Sequence, residues 1–211
     1  MLRSIDLPSE IDSIPVPQQT EQGIRLLEQR IQAFQDCWAQ SHAEQFVAAD
    51  YFLVYQTLQW LAKAQPMIGS RFLEWGCGFA AVACLADSLN WNSHAIESHP
   101  DLVQQAKQTI QQWSANGQEL ARVQLFAGNF LPPGAEHLAD DPTLPSLYHE
   151  GKNPYHAWDL ELDDFALVYS YPWPGEDEFH AAVFDRYAAP GAMLLMFLGP
   201  NHMQLSRKVN D

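Results

Sequence analysis

A glycine turn preceded by an acid is the first feature of this sequence that could do chemistry. In the stretch RFLEWGCGFAA, Gly76 and Gly78 stand one residue apart, and Glu74 lies two positions before the first glycine. A turn from a buried strand into a helix presents backbone N–H groups, and glycines let a ligand approach them closely. A tight turn also needs glycine for steric reasons. The turn alone therefore leaves a dinucleotide, another adenosine-containing cofactor and no ligand open.

Two later strand ends carry side chains suited to the same kind of ligand. Glu97 ends the second predicted strand, where its carboxylate could accept hydrogen bonds from both hydroxyls of a ribose. Asn129 and Phe130 follow the third predicted strand and could contact an adenine, although Asn after Gly is also ordinary turn chemistry. Ligands of doubly wound sheets bind at the carboxyl ends of the strands. Three successive strand ends could thus serve one adenosine-bearing ligand.

Alternating strands and helices must position these residues. Apolar runs predict strands at residues 71–75, 93–97, 122–126, 165–169 and 192–198, and helices at 79–89, from 100 onward and at 176–188. Near-continuous apolar strands separated by helices are typical of a parallel sheet covered on both faces. The predicted fold class is therefore α/β, a three-layer α-β-α arrangement with a doubly wound, mostly parallel sheet.

The remaining segments extend this single domain of residues 1–211. Residues 1–19 form a Pro-rich extended arm, and residues 20–66 form two helices, predicted at 20–40 and 43–64. Residues 70–199 form the cofactor-binding core. Within the core, residues 131–162 are polar, Pro-rich and too long for an ordinary connection, which predicts a long insertion or lid.

Four stretches, taken in order, resemble the motifs of one enzyme family. FLEWGCGFA, Glu97, AGNF and DDFALVYSYPWP are similar to the ordered motifs of the class I S-adenosylmethionine-dependent methyltransferases. The resemblance covers about residues 71–199 and implies a seven-stranded Rossmann-like sheet that binds S-adenosylmethionine. It also implies residue roles: the methionine part of the cofactor lies near Glu74, the glycine turn is Gly76, Cys77 and Gly78, Glu97 binds the ribose, and Asn129 lies on the adenine side.

A nicotinamide-dependent oxidoreductase is the competing interpretation, because it uses a similar turn and an acid at similar spacing. The dinucleotide fingerprint has a third glycine where this chain has Ala81. An acid at Glu74 would repel a pyrophosphate but attract a positively charged sulfonium amino acid. The sequence therefore favours S-adenosylmethionine over NAD as the cofactor.

The acceptor side of the site is predicted after the fourth strand. Ser170, Tyr171, Pro172 and Trp173 resemble the Asn/Asp/Ser-Pro-Pro-aromatic motif of the family's amine methyltransferases, with Tyr171 replacing the first proline. The resemblance implies that these residues hold the methyl acceptor. A turn made rigid by its prolines and an aromatic cage for a cationic amine are alternative interpretations. On the second helix, Tyr51 and Tyr55 are candidates for reaching the pocket.

These motifs predict methyl transfer to a small molecule or to a protein or amine nitrogen. A non-catalytic S-adenosylmethionine-binding protein stays open, because Tyr171 departs from the motif and the sheet has a shortened C-terminal end. After residue 199 there is room for only one further strand, near residues 203–209. An unpaired edge would call for a cover, which makes a homodimer possible.

Composition limits the partners. A formal charge of -15 argues against nucleic acid, whose phosphates need clustered Lys and Arg. The three cysteines, Cys37, Cys77 and Cys84, form no CxxC pair, so we expect no metal site. No apolar run is long enough for a membrane span, and the N-terminus lacks the apolar segment of a secretory signal. We therefore expect a cytoplasmic protein without a membrane partner.

Overall fold

The computed structural model describes residues 1–38, 46–115, 122–138, 151–200 and 202–210, and these contain one seven-stranded sheet. The strands are β1 (Leu2–Ile5), β2 (Arg71–Trp75), β3 (Asn92–Glu97), β4 (Gln124–Ala127), β5 (Leu167–Ser170), β6 (Met193–Gly199) and β7 (His202–Lys208). The helices are α1 (Gln18–Trp38), α2 (Tyr51–Ala64), α3 (Ala81–Ser88), α4 (Pro100–Ala115), α5 (Tyr155–Trp158) and α6 (Asp177–Tyr187). Short 3-10 helices lie at Ile11–Ser13, Glu136–Leu138 and Leu162–Asp164.

The sheet is doubly wound. Its strand order is β1-β7-β6-β5-β2-β3-β4, and the five strands from β6 to β4 are parallel. From the central pair of β2 and β5, the chain proceeds outward in opposite directions, to β3 and β4 on one side and to β6 on the other. The predicted α/β fold class and the implied seven-stranded sheet are both confirmed.

The outer edge of the sheet is completed by the chain's own N-terminal arm. β7 runs antiparallel to β6, and β1 pairs antiparallel with β7, with Leu2 opposite Lys208 and Ile5 opposite Leu205. The C-terminal segment thus supplies one strand, as expected, and the arm supplies the next. β7 therefore has a strand partner on each side, and the four-residue β1 is the edge strand of the sheet. A homodimer stays a prediction.

Two apolar clusters lie on opposite faces of the sheet, because successive strand residues point to opposite sides. One contains Phe72, Leu167 and Leu195 and is covered by helices α1 to α4. The other contains Leu73, Val168 and Leu194 and is covered by α6 and by residues from the described parts of the 131–162 insertion, namely Leu131, Ala135, Tyr155 and Leu162. The insertion thus contributes to the core on the α6 face.

Some predicted boundaries are wrong. The helix expected at 43–64 begins at Tyr51, because the side chain of Asp50 accepts a hydrogen bond from Leu53 N at 3.0 Å and caps the helix. Residues 46–50 are not helical, and residues 43–45 lie outside the described ranges. The strand expected at 165–169 runs from Leu167 to Ser170, so Ser170 is the last residue of β5.

Over the same described ranges, no helix has both the length and the apolar content that a membrane crossing needs.

Candidate functional site

The candidate site lies at the carboxyl ends of β2 and β5. These two strands are neighbours, but the chain leaves them toward opposite edges of the sheet, so their following segments diverge. Such a reversal of strand order opens a crevice, and ligands of doubly wound sheets bind there. The glycine turn follows β2, and Tyr171 to Trp173 follow β5. Two of the predicted motifs therefore follow neighbouring strands at this reversal of strand order.

The glycine turn has a backbone that other residues rarely adopt. Gly76 and Gly78 have φ values of 61° and 53°, in the left-handed region that favours glycine. A Cβ on Gly76 would meet no atom within 4 Å, so the backbone here is open to approach. A Cβ on Gly78 would clash with the ring of Phe46, which covers this glycine. Phe46 was not among the predicted site residues, because nothing in a single sequence links it to a turn so far along the chain.

Glu97 contacts the turn directly. Its Oε2 accepts a hydrogen bond from Gly78 N at 2.7 Å, and its Oε1 accepts one from His99 N at 2.8 Å. The side chain is buried, and burial raises its pKa, while the backbone bonds from His99 and Gly78 oppose that rise. A ligand bound against the turn would therefore meet a carboxylate that the backbone holds in place.

Glu74 is the second buried carboxyl group at the turn. Its Oε2 accepts a hydrogen bond from Ala83 N at 2.7 Å, so it caps α3, which begins after an alanine without a capping side chain. Burial raises the pKa of Glu74 to about 8, and the charge of Glu97 acts in the same direction. Without a cation nearby, burial therefore favours the protonated form of Glu74.

Two tyrosines lie within electrostatic range of Glu74. Tyr169 is its register partner on β5, and the buried Tyr169 hydroxyl has no hydrogen-bond partner among the described residues. Burial, followed by the charge of Glu74, raises the pKa of Tyr51, which the sequence had singled out. Tyr55, the other tyrosine singled out, is buried in the same apolar cluster.

Asn129 and Phe130 are held by neighbouring protein groups. Asn129 Nδ2 donates to Gly151 O at 2.7 Å, and its Oδ1 accepts from Leu131 N at 2.9 Å. The amide thus fastens the insertion to the end of β4. The ring of Phe130 stacks on Trp75 at a centroid distance of 4.8 Å, on the α6 face.

The four residues predicted for the acceptor side have different surroundings. Ser170 is fully buried, with its hydroxyl oxygen 2.5 Å from His180 Nδ1. The ring of Tyr171 packs edge-on against Phe197 at 4.9 Å. Pro172 is buried, whereas Trp173 is 37% exposed. His180 and its contact with Ser170 were not predicted, because a histidine ten residues along the chain gives no sign of its position.

Metal and thiol chemistry find little support in the described part of the chain. It contains no group of three or more His, Cys, Asp or Glu side chains arranged to hold a metal ion. Cys77 lies in the turn, but burial raises the pKa of its thiol well above its usual range, and the charges of Glu74 and Glu97 add to this. A protonated thiol is a poor nucleophile. Cys77 therefore serves the turn as a small packed residue.

A scan of protein-family models and a search of curated proteins find no match to the chain. A search of solved structures finds methyltransferases. A methyltransferase from Podospora anserina with bound S-adenosylhomocysteine is 15% identical, with a TM-score of 0.49 over 89% of this chain and 64% of that one. A Salinibacter ruber RNA methyltransferase in complex with S-adenosylhomocysteine is 12% identical, with a TM-score of 0.43 and 92% of both chains covered.

The precorrin-6Y C5,15-methyltransferase of Geobacter metallireducens is 17% identical, with a TM-score of 0.43 over 73% of this chain and 65% of that one. The chain thus spans less than two thirds of the length of the Podospora and Geobacter proteins. A precorrin and an RNA are different acceptors. The chain is similar to S-adenosylmethionine-dependent methyltransferases with various acceptors, and its own acceptor is not established.

Proposed function

We propose that the chain binds S-adenosylmethionine in the crevice between β2 and β5 and transfers its methyl group to a small molecule or to a protein or amine nitrogen. The observation that carries this proposal is the pair of buried carboxyl groups at the glycine turn. Glu97 lies 2.7 Å from Gly78 N, and Glu74 caps the helix that follows. Two acids at one turn favour a cationic ligand.

The same geometry disfavours a dinucleotide. A pyrophosphate binds to free N–H groups of a glycine turn and to the start of the following helix. Here Gly78 N already donates to Glu97, and Ala83 N already donates to Glu74. The ionised carboxylate of Glu97, which is bonded to the first of these donors, would also repel the phosphates. An adenosine ligand with a cationic amino acid part suits the turn better than NAD does.

Each part of the cofactor has a proposed set of partners. Glu97 binds the ribose hydroxyls. Glu74, Gly76, Cys77 and Gly78 surround the methionine part. Asn129 and Phe130 lie on the adenine side, where the bonds of Asn129 to Gly151 and Leu131 shape the loop. Residues 170–173 border the acceptor.

Methyl transfer needs alignment more than acid–base chemistry. The sulfonium of S-adenosylmethionine supplies an activated methyl group, so the protein has to bring a nucleophile in line with it and exclude water. The buried ends of β2 and β5 suit this task, because Trp75 and Ser170 are both fully covered there. The rigid strands β2 and β5 fix the positions of Trp75 and Ser170.

Calorimetric titration of the full chain with S-adenosylmethionine and with NAD tests the cofactor. We expect saturable binding of S-adenosylmethionine and none of NAD. Binding of NAD with no response to S-adenosylmethionine would overturn the proposal.

A separate experiment distinguishes an enzyme from a non-catalytic binding protein. The binding protein is an alternative because Tyr171 departs from the acceptor motif. Tritiated S-adenosylmethionine is incubated with a cell lysate and the purified chain. We expect label in acceptor molecules, and less label with the Glu97→Ala variant as the matched control. A chain that binds the cofactor but labels nothing would be a non-catalytic binding protein.

A further inference from the structure

Two buried carboxyl groups share the glycine turn, and one of them is well suited to carry a negative charge. Glu97 is 5% exposed, and both of its oxygens accept backbone hydrogen bonds, Oε2 from Gly78 N at 2.7 Å and Oε1 from His99 N at 2.8 Å. Backbone N–H groups that donate to a carboxylate favour its ionised form. The turn therefore holds one carboxylate whose charge the backbone supports.

Glu74, the second carboxyl group, has less support for a charge. It is 3% exposed, and its Oε2 accepts a hydrogen bond from Ala83 N at 2.7 Å, with a smaller contribution from Val82 N. The charge of Glu97 opposes a second negative charge at the same turn. Like charges in a packed interior are poorly screened, so one of two neighbouring carboxyl groups keeps its proton. In the ligand-free chain that proton belongs on Glu74.

The titratable groups around Glu74 are all acids, so none of them can neutralise its charge. They come from the turn and from the elements around the carboxyl group: Cys77 in the turn, Cys84 on α3, Glu97 on β3, Tyr169 on β5 and Tyr51 on α2. Within the described ranges, no Lys, Arg or His side chain affects the pKa of Glu74. A positive charge for this carboxyl group has to come from a ligand.

A ligand can approach Glu74 from the open side of the turn. Gly76 follows two residues later, is exposed, and would place a Cβ within 4 Å of no other atom. A carboxylate offers about four acceptor positions, which is more than its backbone donors use. Next to Glu74, the hydroxyl of its register partner Tyr169 is buried and has no hydrogen-bond partner among the described residues. Both side chains thus keep hydrogen-bonding capacity for a ligand that enters over Gly76.

We propose that Glu74 exchanges its proton for the ammonium group of S-adenosylmethionine, so that binding of the cofactor releases a proton to the solvent. This inference rests on the proposed function. Of the two positive groups of the cofactor, the ammonium has N–H groups that donate to a carboxylate, whereas the sulfonium has none. The carboxyl O–H bond of Glu74 breaks, the ammonium keeps its three hydrogens, and the buffer takes up the released proton.

This exchange makes Glu74 a specificity-determining residue. An ammonium group neutralises the carboxylate inside the packed site, where attraction between charges is stronger than in water. An adenosine ligand without an amino acid part supplies no cation, so Glu74 keeps its proton and adds little to the affinity. S-adenosylmethionine and its demethylated product, S-adenosylhomocysteine, both carry the ammonium. Glu74 therefore recognises the amino acid part of both ligands and does not distinguish substrate from product.

The affinity for the cofactor should depend on pH with a definite sign. Burial raises the pKa of Glu74 to about 8 in the free chain, and an amino acid ammonium keeps its charge below pH 7. Binding has to remove a proton from Glu74 in that range, so a rise in pH favours the complex. We expect the affinity to increase roughly tenfold from pH 6 to pH 7 and to level off as free Glu74 ionises.

The Glu74→Gln variant isolates this pH dependence, because other titrating groups affect both proteins alike. The ratio of native to variant affinity, measured by calorimetry from pH 6 to pH 7, should rise by the same factor of roughly ten. Glu178→Gln changes an exposed acid of α6 in the same way and should follow the native chain. A ratio for Glu74→Gln that stays constant with pH would contradict the exchange.

Calorimetry in two buffers counts the released protons. The full chain is titrated at pH 6.5 with S-adenosylmethionine and with S-adenosylhomocysteine, in phosphate and in imidazole, whose ionisation enthalpies differ. We expect about one proton released per bound ligand in both cases, and none from the Glu74→Gln variant. Binding without release, or release that persists in Glu74→Gln, would overturn the inference. Release with S-adenosylmethionine alone would assign the cation to the sulfonium and overturn the role of the ammonium.

Infrared difference spectra report the carboxyl group directly and need no variant that folds. A protonated carboxyl group has a C=O band that a carboxylate lacks. We expect the native chain to lose this band when S-adenosylhomocysteine binds at pH 6.5, and the Glu74→Gln variant to show no such loss. A native chain whose spectrum keeps the band in the complex would contradict the exchange.

The two proposals fail in different ways. Absence of S-adenosylmethionine binding in calorimetry contradicts the proposed function, whatever the state of Glu74. Binding that releases no proton contradicts only the exchange at Glu74 and leaves the proposed function in place.

Discussion

Glu97 lies where the glycine turn meets the end of β3, and both of its carboxylate oxygens accept backbone hydrogen bonds, from Gly78 and His99. In the proposed complex this carboxylate also accepts hydrogen bonds from the ribose hydroxyls. We expect Glu97→Ala to weaken S-adenosylmethionine binding by about 1–3 kcal/mol, because the hydroxyls and Gly78 N lose their acceptor. Calorimetry measures the affinity.

The matched control for Glu97 is Glu178→Ala, which removes an exposed acid from α6. It should leave the affinity unchanged, since exposed charges are screened by solvent. Equal affinities for the native chain and the Glu97→Ala variant would show that the ribose binds elsewhere.

Glu74 should make the stability of the ligand-free protein depend on pH. Burial raises the pKa of Glu74 to about 8 from an ordinary value of 4.5. Between these values the unfolded chain has released the proton and the folded chain still holds it, so the unfolded chain binds fewer protons. Stability therefore falls as pH rises through this window. His180 acts oppositely, but only between about 3 and 6.5, because burial lowers its pKa.

The Glu74→Gln variant isolates this effect. Above pH 6.5, where His180 has stopped contributing, the native chain should lose up to about 1.4 kcal/mol per pH unit relative to the variant. Urea unfolding at a series of pH values from 6.5 to 8 measures the difference. Parallel curves for the two proteins would show that Glu74 is already ionised in the folded chain.

At the scale of elements, the residue that precedes α3 has an unusual backbone conformation. Ala80 has a φ of 54° and lies in the left-handed region, where an alanine costs about 1–2 kcal/mol. The Ala80→Gly change relieves this strain and loses one buried methyl group, worth about 0.8 kcal/mol. We therefore expect a stability within about 1 kcal/mol of the native chain.

Ala86→Gly is the matched comparison, since Ala86 is equally buried but lies in the regular part of α3. There glycine costs about 1 kcal/mol in helix propensity in addition to the lost methyl group. Urea unfolding should find Ala86→Gly less stable than Ala80→Gly by about 2–3 kcal/mol. Equal destabilisation would mean that Ala80 does not adopt the left-handed conformation in solution.

The elements themselves could be predicted where the local pattern was strong. The apolar run of β2 predicted its bounds without error, and Pro100 marked the start of α4. The start of α2 was misplaced because apolar residues continue before it, while the decisive contact is the side-chain cap at Asp50. A cap depends on backbone geometry that the apolar pattern does not carry.

At the scale of the whole molecule, β1 joins the N-terminal arm to the far edge of the sheet. Its four residues pair with β7, which makes β7 an inner strand. We expect a chain without residues 1–7 to lose about 2–4 kcal/mol of stability, since it forfeits a strand's backbone hydrogen bonds. The bare edge of β7 should then favour self-association. Urea unfolding and sedimentation measure both effects.

A synthetic peptide of residues 1–7 provides the control for that truncation. Added in trans, it should pair with β7, restore part of the stability and reduce self-association. A peptide with Ser4→Pro lacks one backbone donor and should restore less. A truncated chain as stable as the native one would show that β1 contributes little to the sheet.

The sequence by itself determined the alternation of strands and helices, the acids and glycines of the turn and their placement at one edge of the sheet. These features are local: each depends on the period of apolar residues or on a backbone conformation that few residue types adopt. The common edge of the site followed from them, because parallel strands joined by helices bring their carboxyl ends to the same side.

Only the tertiary structure decided which distant groups meet. It placed Phe46 on Gly78, His180 on Ser170 and the N-terminal arm beside β7. It also set the states of Glu74 and His180, whose pKa values shift because packing removes water from around them. Contacts between residues far apart in the chain, and the burial that follows from them, depend on the whole packed molecule, which local spacing does not encode.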